Sequence, residues 1–308
     1  MLNFIRPAWQ FLRELYRRPL SAIGTSIVLF FFFLALFGRQ IAPYPVANDY
    51  NLDRPVRAAP TLELSRLSLG PYPFGTDKQG RDVFSRVILG AESIFRLAGL
   101  GTLIAVLLGT GLGLWMGYQG GWLDEIIGRL IDAVLAIPPL LLSLVLVGII
   151  QNLMLEPGSW QESLADNAVL LVISILYIPI VARVVRSQTL EIKTRQFVEA
   201  AQLRGESPFY IVLREILPSA LPALAVEAAL RFSYAIFLVA SLSFLGFGAE
   251  PGSADWGLMV NDNRGAGDYA LTPWALEYPA LAIVALVIGV NLMSEGIKRA
   301  VQGGGEAI

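Results

Sequence analysis

The sequence contains neither cysteine nor histidine. The first absence excludes a disulfide framework and any thiolate metal site. The second excludes Ser-His-Asp and Cys-His catalysis and all imidazole metal ligation. Charge is also scarce: 16% of the 308 residues are Asp, Glu, Lys or Arg, against about 25% in ordinary soluble domains. The net charge of −2 gives no footing for nucleic acid or a polybasic membrane-surface role. No G-x-x-x-x-G-K-[ST] loop occurs, so the chain does not itself hold ATP in a P-loop. An ATP-driven role therefore needs a partner.

In place of these the chain has apolar length. Hydrophobic residues make up 55% of it and are gathered into long runs. A bilayer core of about 30 Å needs about 20 apolar residues as a helix. Six runs qualify: Leu20 to Phe37, Leu97 to Tyr118, Ala133 to Ile150, Ala168 to Val185, Ala220 to Leu245 and Tyr278 to Glu295. Arg13, Arg17 and Arg18 precede the first. That run exceeds the about 7–15 residues of a signal-peptide core, and no small-x-small cleavage site follows, so it reads as a retained span. The expectation is an all-α polytopic membrane protein with six transmembrane helices and both termini on one side.

Basic residues orient it. Arg6, Arg13, Arg17 and Arg18 lie at the amino end, Lys193, Arg195, Arg204 and Arg214 after the fourth span, and Lys298 and Arg299 in the tail. Gln151 to Asn167 has no Lys or Arg, and Gly246 to Glu277 has only Arg264. The positive-inside rule puts both termini in the cytoplasm. Gly38 to Arg96 carries eight basic residues on the outside, but long loops translocate largely regardless of charge. The chain divides into 1–38 (amino segment and first span), 39–96 (extracytoplasmic loop with an amphipathic helix), 97–300 (five-span core with an inner loop over 187–218) and a tail over 301–308.

Gly109, Gly113, Gly117 and Gly121 put small residues along one face of the second span, for internal packing or for another membrane subunit. Pro138, Pro139 and Pro179 inside spans predict contact with other helices or a cavity rather than lipid. Outside, Ile41 to Pro73 reads as irregular chain. From Asp82 the apolar residues Val83, Phe84, Val87, Ile88 and Phe95 predict an amphipathic helix along the outer membrane surface. The turn before it, with Gly75, Thr76, Asp77, Gly80, Arg81 and Asp82, is either a partner or gate contact or a folded entry turn.

The inner loop predicts two short helices. The first carries Glu199, Ala200, Ala201 and Arg204 and closes at Gly205, a suitable C′ residue. The second opens with Ser207 as N-cap and Pro208 at N1, and runs through Phe209, Val212, Leu213 and Ile216 until Pro218 breaks the chain. Its apolar face can pack on its own spans, lie in headgroups or fill a partner groove, with the small Ala200 and Ala201 suited to close approach. Glu227 and Arg231, spaced i, i+4 inside the fifth span, form an ion pair or line the pathway.

At these residues a resemblance enters. Glu199-Ala200-Ala201, three residues, Gly205, then Leu217-Pro218 is similar to the cytoplasmic loop signature of ABC importer permeases. Glu215 stands where the wider family has Ile, an offset that resembles the peptide-permease branch. Phe74 to Val87, Ala240 to Gly248 with Asp255-Trp256-Gly257, Pro19 to Pro45 and Asn291 to Lys298 resemble the second, C-type permease of dipeptide, oligopeptide and nickel systems. The resemblance implies a type I importer architecture, with a coupling helix at Glu199, Ala200, Ala201, Arg204, Gly205, Pro208 and Phe209. It implies a heterodimer with a second permease, two ATPase subunits holding ATP and Mg, a substrate-binding protein outside, and a bacterial or archaeal cytoplasmic membrane. No cofactor and no bond-making chemistry are expected on this chain. The rivals are an ion-gradient-driven secondary transporter, for which no internal repeat is visible, and an intramembrane enzyme.

Overall fold

The computed structural model describes residues 15–44, 54–63, 68–152 and 166–303. Expectations on Arg6 and Arg13, on parts of Ile41 to Pro73 and Gln151 to Asn167, and on the end of the tail lie outside the described residues. Ten helices follow one another among the described residues. They are α1 (Pro19–Ile41), α2 (Val83–Gln119), α3 (Gly121–Leu135), α4 (Pro139–Asn152), α5 (Ala168–Lys193), α6 (Gln196–Leu203), α7 (Pro208–Phe244), α8 (Trp256–Asp262), α9 (Ala266–Leu271) and α10 (Pro273–Gly303). Two antiparallel strands of two residues each, β1 (Leu62–Glu63) and β2 (Ser68–Leu69), interrupt otherwise irregular chain before α2.

Five of these helices are long and apolar enough to cross a membrane, and α3 with α4 makes a sixth, broken crossing bent by 91°. The third expected span is thus two segments. Pro138 and Pro139 sit at the break and are exposed, so no other helix among the described residues covers them. Ion pairs clip α3 to α5: Arg186 donates from Nε and NH2 to the two carboxylate oxygens of Asp124 at 2.6 and 2.7 Å, and Arg183 pairs with Asp132.

Close approach of backbones holds the bundle together, because apolar surface gains little by leaving lipid. The most extensive pairing is α2 with α5. A Cβ added to Gly109 would lie 2.8 Å from Val181 Cβ, one on Gly113 2.5 Å from the Ala182 carbonyl, and one on Gly117 2.6 Å from Thr189 Cβ. The glycine stripe is therefore an internal seam, and Gly121, open within 4 Å, is not part of it. Reciprocal glycines bring α1 onto α10: Gly24 abuts Leu292 and Gly289 abuts Ile27. The core between these pairs contains Phe31, Ile94, Ile173, Ile236, Leu242, Trp256 and Leu286.

Two expectations fail for identifiable reasons. The helix starting at Val83 is not a separate amphipathic helix. Residues 85–91 are buried on successive positions, so α1, α8 and α10 surround it, and it continues into the second span as one 37-residue helix. Pro218 does not break the chain either. A π-helical turn over Ile211–Ile216, with Leu217 N–H bonded to the Val212 carbonyl, precedes it. The wider turn accommodates the proline ring and its missing donor, so α7 is also continuous over 37 residues.

Candidate functional site

At one end of the bundle, the motif Gly75–Asp82 is turned inward: all six of its singled-out residues are buried. Thr76 Oγ1 donates to the Pro55 carbonyl at 2.7 Å and accepts from Ala58 N–H at 2.7 Å. Asp77 Oδ1 accepts from the Gln79 and Arg81 N–H groups, and its Oδ2 accepts from Arg81 Nε at 2.7 Å and Arg86 NH1 at 2.9 Å. Arg86 NH2 then reaches the Ser253 carbonyl at 2.6 Å. Lys78 Nζ donates to the Asp262 carbonyl and to Asp268 Oδ2 at 2.9 Å, and this contact holds the Asp268 carboxyl below its ordinary range. Gly75 has φ +73 and leaves room for Trp274, whose Nε1 donates to the Thr76 carbonyl at 3.0 Å. This is the geometry of the folded entry turn: the motif clamps the segment before α2 to the loop between α7 and α10.

Asp255 and Trp256 complete the clamp. The Asp255 carboxylate caps α8 through Leu258 N–H and accepts from Ser93 Oγ at 3.2 Å. Burial pushes its carboxyl above the usual range. Trp256 donates to the Val87 carbonyl at 2.9 Å and packs edge-on to Phe31. Asp82 caps α2, accepting from Ser85 N–H at 2.8 Å. Arg86, Asp262 and Asp268 were not singled out by sequence. Apart from Asp77, nine residues before Arg86, their partners lie far along the chain, and no local pattern connects them.

At the opposite end, α6 and the start of α7 form a compact hairpin. Val198 and Ala201 point inward, packing with Ile192, Ile211 and Ile216. Ala201 is thus closed off from any partner, unlike Ala200. Gly205 takes φ +77, and Glu206 N–H reaches back to the Ala201 carbonyl at 3.2 Å, the six-to-one closure of a Schellman end. Ser207 Oγ accepts from Tyr210 N–H at 3.2 Å, with Pro208 at the first helical position. The buried face of the second helix is Ile211, Val212 and Ile216; Phe209 and Leu213 face outward.

The outward face of this hairpin carries Glu199, Ala200, Arg204, Gly205, Pro208 and Phe209, all exposed. Arg204 lies 3.7 Å from Glu206 and 3.8 Å from Glu215. Leu203 is 89% exposed and Phe209 76%. Two large apolar side chains flank a turn locked by capping and by a buried underside, so the surface is prepared rather than floppy.

Within α7, Arg231 Nε lies 2.7 Å from Glu227 Oε1, with side chains 16% and 11% exposed. The atoms meet as charges and are not aligned as a hydrogen bond. The guanidinium also lies 5.0 Å from the Tyr234 ring centroid. Among the described residues no group of three carboxylates is placed to hold a metal ion.

Comparison with known proteins agrees with this architecture. The family model described as binding-protein-dependent transport system inner membrane component matches residues 109–303, and that for the N-terminal TM domain of oligopeptide transport permease C matches residues 7–60. The chain is similar to the Glutathione transport system permease protein GsiD of Escherichia coli O6:K15:H31, 35% identical over 297 residues that cover 96% of this chain and 90% of the relative. The same figures hold for that of Shigella boydii serotype 4. For that of Pectobacterium atrosepticum, identity is 32% over 300 residues, covering 96% and 91%. The chain belongs to the binding-protein-dependent transport system inner membrane components, and is a multi-pass permease of an ATP-binding-cassette importer.

Proposed function

We propose that this chain is the C-type permease of an importer for peptides or related small solutes, glutathione among them. It pairs with a second, homologous permease, each supplying half of the pathway. Two ATPase subunits carry ATP and Mg, and a substrate-binding protein delivers cargo. The clamp of Gly75, Thr76, Asp77, Gly80, Arg81 and Asp82 faces outside. The Glu199–Phe209 hairpin and both termini face the cytoplasm of a bacterial or archaeal cell. Import proceeds by alternating access, and this chain breaks no covalent bond.

One observation carries the reading: the pair of exposed apolar residues Leu203 and Phe209 at the tip of a rigid hairpin. Such a tip fits a groove on a partner. Its rigid connection through Ile211 and Ile216 into α7 gives partner movement a path into the membrane. Glu199 and Arg204 supply polar contacts at the rim, and the Gly205 turn fixes the angle of approach. The relatives' names, glutathione and oligopeptide transport, support the cargo class.

The test is coupling in a reconstituted complex. Glu199→Lys and Gly205→Pro are expected to leave insertion and ATP hydrolysis in place while abolishing uptake. Wild-type coupling in both variants would contradict the assignment of this hairpin.

A further inference from the structure

At the clamp end an open cleft of about 740 Å3 runs between the helices, with Arg39, Glu92, Ser93, Arg96, Asp166 and Glu250 on its walls. Its charges are not all equivalent. Arg39 donates to both carboxylate oxygens of Glu92, at 2.9 and 3.0 Å, and this pair is internally neutral. One turn further along α2, about 6 Å deeper by helical rise, Arg96 is exposed to the cleft. It makes no ion pair among the described residues. Asp166 and Glu250, also on the cleft lining, make none among the described residues either.

Arg96 lies on the 37-residue candidate membrane-crossing helix, just before the apolar run that begins at Leu97. A cation there is costly unless it borders water or a ligand, and such residues mark solute pathways. The local backbone also departs from α geometry. Phe95–Leu100 is a π-helical turn, a feature that clusters at functional sites. Glu92, Ser93, Arg96 and Leu97, at i, i+1, i+4 and i+5, border one cleft as helical spacing dictates. Beneath the turn, Phe95 packs on Phe32 and Phe232 at 5.5 Å, so the turn is braced from the apolar side while Arg96 is exposed on the cleft side.

We infer that this cleft is a way-station for cargo, in which Arg96 binds the carboxylate of a peptide-like zwitterion and Asp166 and Glu250 face its ammonium end. A guanidinium suits a carboxylate because its planar donors match the two oxygens. The inference rests on the peptide-class reading above and assigns that cargo its first contact within this chain.

The test uses the whole complex, with second permease, ATPases and binding protein, in proteoliposomes. The probes are radiolabelled trialanine and glutathione, and the variants are Arg96→Gln and Arg96→Lys. Loss of one charge-assisted hydrogen bond predicts about tenfold slower uptake of both probes in Arg96→Gln. ATP hydrolysis stimulated by the loaded binding protein should stay at the wild-type level, and Arg96→Lys, which keeps the charge but not the planar fork, should recover only part of the uptake. Wild-type uptake in Arg96→Gln would overturn the site while leaving the importer reading intact. So would hydrolysis and complex assembly falling together with uptake. A lipid-headgroup role would instead appear as wild-type uptake collapsing when phosphatidylglycerol is replaced by phosphatidylcholine, with Arg96→Gln insensitive to the change, and would also overturn it. A wild-type complex that hydrolyses ATP on binding-protein addition but carries neither probe would remove the peptide-class reading and the site with it.

Discussion

Arg86 NH1 donates to Asp77 Oδ2 at 2.9 Å, and the two side chains are only 2% and 1% exposed. Asp77 also pairs with Arg81, which keeps a second carboxylate, Asp262, at 3.7 Å, so it is Arg86 whose charge depends on Asp77. Removing a partner from such a set leaves charge without compensation, at a cost of about 3–5 kcal/mol. Asp77→Ala is therefore expected to lower the thermal midpoint in detergent strongly and expose the segment before α2 to protease. Asp77→Asn, which keeps an acceptor, should lose less.

The glycine seam makes a discriminating pair. A Cβ on Gly113 meets the Ala182 carbonyl at 2.5 Å, whereas Gly111 has nothing within 4 Å. Gly113→Ala must push α2 from α5 and is expected to cost about 1–3 kcal/mol. Gly111→Ala should be neutral or gain up to about 1 kcal/mol of helix propensity. Thermal unfolding of the two variants side by side reads the difference.

Glu227 and Arg231 lie 2.7 Å apart within α7. If the pair supports the bundle, Glu227→Gln and Arg231→Gln each reduce folded yield, and the exchanged double variant restores it. If the residues line the pathway, yield survives and uptake falls. Unchanged yield and uptake in both single variants would remove either role.

The Asp255 carboxyl is raised by burial, so it holds its proton more tightly folded than unfolded, where the value is about 3.9. Its contribution to stability is full below that value and is lost as pH rises through the folded one. Asp255→Asn cannot ionise. Its midpoint should gain on wild type between pH 4 and pH 8, and a constant difference across that range would contradict the shift.

Much of this was legible in the sequence because it depends on local pattern. Uninterrupted apolar runs mark the spans, Gly205 marks a helix end needing positive φ, and Ser207-Pro208 marks the next start. The missed features depend on distance or on backbone detail. Arg86 meets Ser253, and Lys78 meets Asp268, across more than half the chain. The π turn before Pro218 hides the proline inside a continuous helix, and the apolar stripe from Val83 belongs to a helix buried nearly all round. Ala201 has the right size for a docking surface yet points into the hairpin, because helical phase rather than size decides its direction.

The central claim is that the Leu203 and Phe209 tip docks an ATPase whose hydrolysis drives import. The sharpest measurement is uptake by proteoliposomes prepared with and without the ATPase subunits, with a Leu203→Asp/Phe209→Asp variant alongside. The account predicts uptake only with the ATPases and ATP, and failure of the variant to retain the ATPases although its membrane domain folds. Uptake that persists without the ATPases, or a variant that retains them and imports at the wild-type rate, would contradict it.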